Sequence, residues 1–370
     1  MFQRPQHLMC RFARDMDVIY WEEPVEIGAK ETAFLQVREA QDAKRIRIVV
    51  PHLPAGIPDD AREAALSRLL DAHLSSVRGP LVAWYYTPMM LPFSRHVEAD
   101  VTVFDAMDEL SKFKFAPAHL LDLEQELIDR SDIVFTGGSS LYEAKKDRHD
   151  SVHCFPSSVD RTHFAKARAR LFDPADQEDL PRPRLGFYGV IDERFDTELL
   201  ARAAEMRPDW HFVMVGPVVK ISDEDLPKRP NIHYLGGKTY AELPAYLAGW
   251  DVALMPFAMN ESTQFISPTK TPEYLAGGKP VVSTPVRDVV RHYGHLEGVK
   301  IASTPEEFIA ACEEALELAK NPEGGWLAEA DLMLSATSWE TTQARMAGLI
   351  AELLGTRTGA SRSAMLVAAE

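Results

Sequence analysis

The chain has 370 residues, 46% of them hydrophobic and 26% charged, a globular composition that fits two domains of roughly 150–180 residues. With 40 Lys and Arg against 56 Asp and Glu the net charge is −16, which disfavours nucleic acid and anionic lipid as general partners, a local basic patch aside. No stretch reaches the ~18 apolar residues of a membrane span, and the opening MFQRPQHLMCRFARD lacks the apolar run of a secretory signal.

Apolar Leu8, Met9, Phe12 and Ala13 recur at helical spacing, so a helix is expected over about 5–14. Strands are expected at 18–23, 45–54, 80–86 and 99–109, with a polar helix at 59–74 between the second and third. Residues 117–130 read as helix, 131–138 as strand and turn, 139–148 as helix and 151–160 as short strand and loop. Residues 165–183, rich in charge and proline, read as a linker. The rhythm restarts with strands at 184–190, 210–218, 231–237, 251–257, 279–286 and 299–303. Helices fall at 197–208, 240–250, 268–278, 305–320 and about 337–353. Short strands alternating with helices imply parallel sheets covered on both faces. The expected organisation is a first α/β domain over 1–164, the linker, a second α/β domain over 184–336, and a terminal helix and tail over 337–370, with Trp339 as its anchor. The chain opens on a helix where a strand is the rule. The first strand is therefore expected upstream of Met1, the alternative being a permuted first domain.

The segment SPTKTPEYLAGGKPVVSTP (267–285) carries the sharpest chemistry. Ser267 and Pro268, or Thr271 and Pro272, can start a helix, and Gly277 or Gly278 can end it. Either start puts Lys270 and Glu273 near a helix N-terminus that follows a strand, where open parallel sheets bind ligands. Free N–H groups and a lysine suit phosphate, and a carboxylate can accept from two ribose hydroxyls. Together they suit a nucleoside diphosphate. The plainer reading makes Glu273 a favourable first-turn acid and no more. GFYG (186–189) is not a dinucleotide fingerprint, so Gly189 is expected to permit close backbone approach, and a dehydrogenase is disfavoured.

This segment resembles the nucleotide-sugar signature of retaining glycosyltransferases of the GT-B fold, family GT4. MFQRPQHL, WYYTPM, FDAMDELS, VFTGGSSLYEAKKDRH and FPSSVD are similar to a bacterial subgroup of cell-surface polysaccharide enzymes. The resemblance covers nearly the whole chain and implies an α/β architecture of two facing Rossmann-like domains with a cleft between them. It implies a UDP- or GDP-sugar donor, a saccharide or lipid-linked acceptor, and no tightly bound cofactor or metal. By the resemblance Glu273 holds the donor ribose, with Thr271 beside it, and Arg194 matches the phosphate-binding arginine. The sequence departs from the family in two places. The family pairs two glutamates eight positions apart, but Phe265 stands there, leaving Glu261 on a longer loop. The usual lysine near Arg194 is missing, and Lys220 is the candidate to supply its charge.

Asp105, Asp108 and Glu109 follow an apolar strand and so sit at the expected crevice edge, able to bind sugar hydroxyls or serve as a base. Asp105 is the leading candidate for the base, and Asp105, Lys270 and Arg194 form the expected catalytic set. Asp108 and Glu109 can equally be capping acids. His7, Gly138 and Glu261 are expected near the acceptor or donor sugar, and Arg287 and Arg291 are weaker phosphate candidates. The remaining histidines form no metal pattern. Cys10, Cys154 and Cys312 are too scattered for zinc and read as free thiols in a reducing, cytoplasmic setting, at the inner membrane face if the acceptor is lipid-linked. A nucleotide-sugar epimerase of the same shape and a degenerate, non-catalytic binding protein are the competing readings.

Overall fold

A computed structural model describes residues 2–40, 43–169, 172–267, 269–358 and 365–369. The first part of the chain contributes β1 (Asp17–Trp21), β2 (Val25–Ile27), β3 (Phe34–Ala40), β4 (Ala43–Pro54), β5 (Leu81–Tyr85), β6 (Val101–Ala106), β7 (Ile133–Thr136) and β8 (Val152–Cys154). The second contributes β9 (Arg184–Tyr188), β10 (His211–Val215), β11 (Ile232–Tyr234), β12 (Val252–Met255), β13 (Val281–Ser283) and β14 (Val299–Ile301). A last strand, β15 (Met365–Ala369), returns to the first sheet.

The first sheet runs β2-β4-β1-β15-β5-β6-β7-β8, all parallel, with β3 antiparallel on β4. Its central strands are apolar on both faces, and alternation sends successive side chains into two separate cores. Val18, Val82, Trp84 and Leu366 pack with Leu8 and Phe12 of the helix Arg4–Phe12 and with Met346 and Ile350 of the helix Trp339–Thr358. Ile19, Trp21, Ala83 and Tyr85 face the other way, onto Leu66 and Leu70 of the helix Asp59–Leu74. The terminal helix thus crosses back to the first domain, and Trp339 is buried there.

The strand expected upstream of Met1 has its place filled from the other end of the chain. Leu366 stands in register with Val18 on one side and Val82 on the other. Two central strands with facing edges leave rows of N–H and C=O groups that must pair, and the short apolar MLVAA satisfies both. The exposed β3 and the short β2 were also not expected. Phe34 and Val37, three residues apart with no alternation, are both exposed at a sheet margin, where little apolar surface is buried.

The second sheet runs β11-β10-β9-β12-β13-β14, all parallel, around one core. Part of the segment read as a linker is fastened to it. Gln177 is buried and accepts from Trp250 Nε1 at 2.9 Å, while Asp173 pairs with Arg184 at 2.7 Å. Residues 170–171 of that segment lie outside the described residues.

Candidate active site

The carboxyl ends of both sheets open onto one cavity of about 420 Å³ between the domains. This is where open parallel sheets place ligands, because the strand-to-helix loops converge there. Of the residues singled out in the sequence, His7 and Asp108 line it from the first domain, and Gly189, Arg194, Lys270 and Glu273 from the second.

The helix Lys270–Ala276 follows β12 and forms one wall. It begins at Lys270 with Thr269 before it and no side-chain cap, so Ser267 does not cap it and lines the cavity instead. Pro268 lies outside the described residues. A Schellman turn ends the helix: Gly278 N–H donates to Leu275 O at 2.9 Å and Lys279 N–H to Tyr274 O at 3.0 Å, with Gly278 at φ +74°. Lys270 Nζ lies 5.8 and 5.7 Å from the ring centroids of Phe187 and Phe257. Its stem crosses the backbone of Gly189, where a Cβ would come within 2.3 Å of Lys270 Cε. A Cβ on Gly216 would stand 1.8 Å from Gly189 O, so both glycines are dictated by close approach.

Glu273 is held by a residue the sequence reading missed. Tyr188, at the end of β9, donates its hydroxyl to Glu273 Oε2 at 2.8 Å. Burial pushes the Glu273 carboxyl up to about 7 and raises the Tyr188 phenol well above its ordinary value, keeping it a donor. Burial and the neighbouring Arg194 guanidinium lower the Lys270 ammonium. Burial acts to lower Arg194 as well, but Asp192 offsets it, with Arg194 Nη2 2.6 Å from Asp192 Oδ2. Opposite these groups stands Asp108, which burial pushes up to about 6 against the opposing pull of Arg194 and Lys270.

The other candidates are elsewhere. Asp105 is fully buried and outside the cavity lining, with both oxygens taken by Arg4. Glu109 turns away to the buried Lys145 at 2.9 Å. Gly138 sits at the contact between domains, where a Cβ would meet Asp288 Oδ2 at 2.7 Å. Thr271 is buried, its hydroxyl without a hydrogen-bond partner among the described residues. Lys220 lies beside Phe113 and Glu193 rather than in the lining, and Glu261 is exposed and pairs with Lys112 at 3.1 Å. Arg287 and Arg291 both pair with Glu143 across the domain boundary. His7 stacks on Trp339, centroids 4.7 Å apart and planes 10° apart. Burial drives its pKa down to about 3, so it meets the cavity as a neutral ring. Among the described residues no group of three or more His, Cys, Asp or Glu is placed to hold a metal ion, and no helix is long and apolar enough to cross a membrane.

The arrangement has solved counterparts. Sucrose-phosphate synthase from Thermosynechococcus elongatus superposes with a TM-score of 0.68 at 15% identity, over 95% of this chain and 92% of that one. Anabaena HepE in complex with UDP superposes at 0.63 and 12% identity, over 91% and 100%. The E. coli trehalose-6-phosphate structure bound with UDP-2-fluoro glucose does so at 0.65 and 13%, over 94% and 95%. The chain therefore has the GT-B fold, two Rossmann-like domains facing across a cleft.

Residues 182–318 match the family described as glycosyl transferases group 1. A Bacillus subtilis protein named as a teichuronic acid biosynthesis glycosyltransferase, TuaH, is 27% identical over 254 residues. The match spans 63% of this chain and 63% of that relative. Over residues 182–318 the second domain is similar to the glycosyl transferases group 1 family.

Proposed function

We propose that the protein transfers a glycosyl group from a nucleoside diphosphate sugar, UDP- or GDP-linked, to a hydroxyl of a saccharide or lipid-linked saccharide. The observation that carries this is the convergence of Lys270, Arg194 and the Tyr188–Glu273 pair on one wall of the interdomain cavity. Glu273 accepts from the ribose hydroxyls, and Lys270 and Arg194, with Lys220 beyond them, neutralise the diphosphate as it leaves. Asp108 faces them from the first domain and orients the reacting hydroxyl. The acceptor oxygen bonds to the anomeric carbon on the face from which the diphosphate departs, the carbon–oxygen bond to the diphosphate breaks, and the acceptor proton passes to the departing phosphate oxygen. The anomeric configuration is thereby retained. Closure of the cleft excludes water, which would otherwise take the sugar. The three cysteines, scattered at Cys10, Cys154 and Cys312, suit a reducing, cytoplasmic setting, and a lipid-linked acceptor would be met at the inner membrane face.

A panel of UDP-, GDP- and dTDP-sugars, incubated with and without mixed saccharide acceptors, tests this. Acceptor-dependent nucleotide release, with the product's anomeric proton showing the donor configuration by NMR, is the expected result. Interconversion of the donor without acceptor would make it an epimerase. Saturable binding without turnover would make it a binding protein.

A further inference from the structure

We infer that Phe113, in the first domain, positions two cations of the second that serve the donor diphosphate, Arg194 in the cavity lining and Lys220 beyond it. This rests on the reading that Arg194 and Lys220 serve that diphosphate. Phe113 lies on the loop that follows β6 and also carries Asp108. Its ring centroid is 5.1 Å from Arg194 Cζ and 5.0 Å from Lys220 Nζ, although both cations belong to the other domain.

The loop is pinned on either side of the ring. Lys112 Nζ pairs with Glu261 Oε2 at 3.1 Å, and the Lys114 N–H donates to Glu193 Oε1 at 3.2 Å. On the far side, Asp192 accepts from Arg194. Lys220 sits at φ +63°, a conformation that a non-glycine residue keeps only when its surroundings impose it.

The choice of an aromatic ring has a physical consequence. Arg194 already has Asp192, and Lys220 has Glu193 at 3.9 Å; a further carboxylate in place of the ring would consume more of their N–H donors and compete with an incoming phosphate. A ring face attracts the cation without taking a donor, so the N–H groups that Asp192 does not hold remain available to an anion. The attraction requires the cation within about 6 Å of the ring. It therefore acts only while the two domains stand in this arrangement, which links closure of the cleft to the grip on the second phosphate.

The test is the ratio of dissociation constants for the nucleoside monophosphate and diphosphate, using UMP with UDP or GMP with GDP, whichever pair binds. It is measured by calorimetry on the full chain and on Phe113→Leu, Phe113→Trp and Lys270→Ala. A cation–π contact of this kind corresponds to roughly 2- to 30-fold in affinity. Phe113→Leu, which keeps apolar bulk but loses the ring, is expected to lower the ratio by that factor, and Phe113→Trp to restore it. A ratio unchanged in Phe113→Leu but collapsed in Lys270→Ala would overturn this inference and leave the phosphate reading standing. A ratio unchanged in Lys270→Ala as well would overturn both. Equal losses in Phe113→Leu and Phe113→Trp would reduce the residue to a packing role and also overturn it.

Discussion

Arg4 Nη2 lies 2.8 Å from Asp105 Oδ1, and the pair is buried between the first helix and the end of β6. Arg4 Nη1 also donates to Phe155 O at 2.7 Å, so the guanidinium ties three segments of the first domain together. Removing one member of such a pair leaves an uncompensated buried charge and costs about 3–5 kcal/mol. Asp105→Ala is therefore expected to lower the thermal midpoint sharply, and a paired apolar replacement of Arg4 and Asp105 to recover much of the loss. A folded Asp105→Ala variant of normal midpoint that had lost turnover would instead return Asp105 to the role of base.

Asp108 supplies a pH dependence whose sign is definite. Its carboxyl is held up to about 6, so it is protonated below that pH and ionised above it. The rate at limiting donor is expected to rise with pH through about 6, since that quantity reports the free enzyme. Asp108→Asn should lose that limb along with most of its activity, leaving only the rise near 7 as Glu273 ionises. Stability runs in the opposite direction. A carboxyl raised in the folded state favours folding below its unfolded pKa, and that contribution disappears as pH rises through about 6. The melting temperature of Asp108→Asn relative to wild type should therefore increase between pH 5 and pH 8.

Tyr188 and Glu273 can be tested as a unit. A hydrogen bond to a charged group contributes about 1.5–3 kcal/mol, so at a pH well above 7, where the Glu273 carboxyl is ionised, Glu273→Gln is expected to weaken nucleoside diphosphate binding by roughly 10- to 150-fold. Tyr188→Phe should cost less, because it removes only the group that orients the carboxylate. A 2′-deoxynucleotide should bind wild type more weakly than its ribose parent, and this difference should vanish in Glu273→Gln. A difference that persists would place the ribose elsewhere.

The domains are also joined behind the cavity. Asp288 is buried in the second domain and accepts from Ser140 Oγ at 2.6 Å and from Ser140 N–H at 3.2 Å, both in the first domain. Leaving those buried donors unmet costs about 1–3 kcal/mol. Asp288→Ala is expected to open the cleft, seen as a larger radius of gyration by solution scattering and a lower turnover number. Glu143→Ala, which removes the partially exposed pairs with Arg287 and Arg291, should change either by little.

The second domain was the more legible half. Its strand–helix alternation is local, and Lys270, Glu273 and the Gly277–Gly278 stop fall within one short segment that encodes its own helix end. The first domain hid its topology. MLVAA is too short to show any periodicity, and its partners Val18 and Val82 are remote in sequence. Asp105 and Asp108 could not be told apart, because three residues at the end of a strand and into its bend decide which acid meets Arg4 and which meets the cleft. Tyr188 had a signal, standing beside Gly189 at a strand end, but a tyrosine there reads equally well as core. Phe113 and Asp288 left no signal, since their partners lie across the domain boundary.

Calorimetric titration of UDP and GDP into wild type and Lys270→Ala tests the central claim most directly. The account predicts saturable binding of one nucleoside diphosphate per chain, weakened roughly 10-fold or more when Lys270 loses its charge and hydrogen bonds. Failure of wild type to bind either nucleotide, or equal binding by the variant, would contradict it.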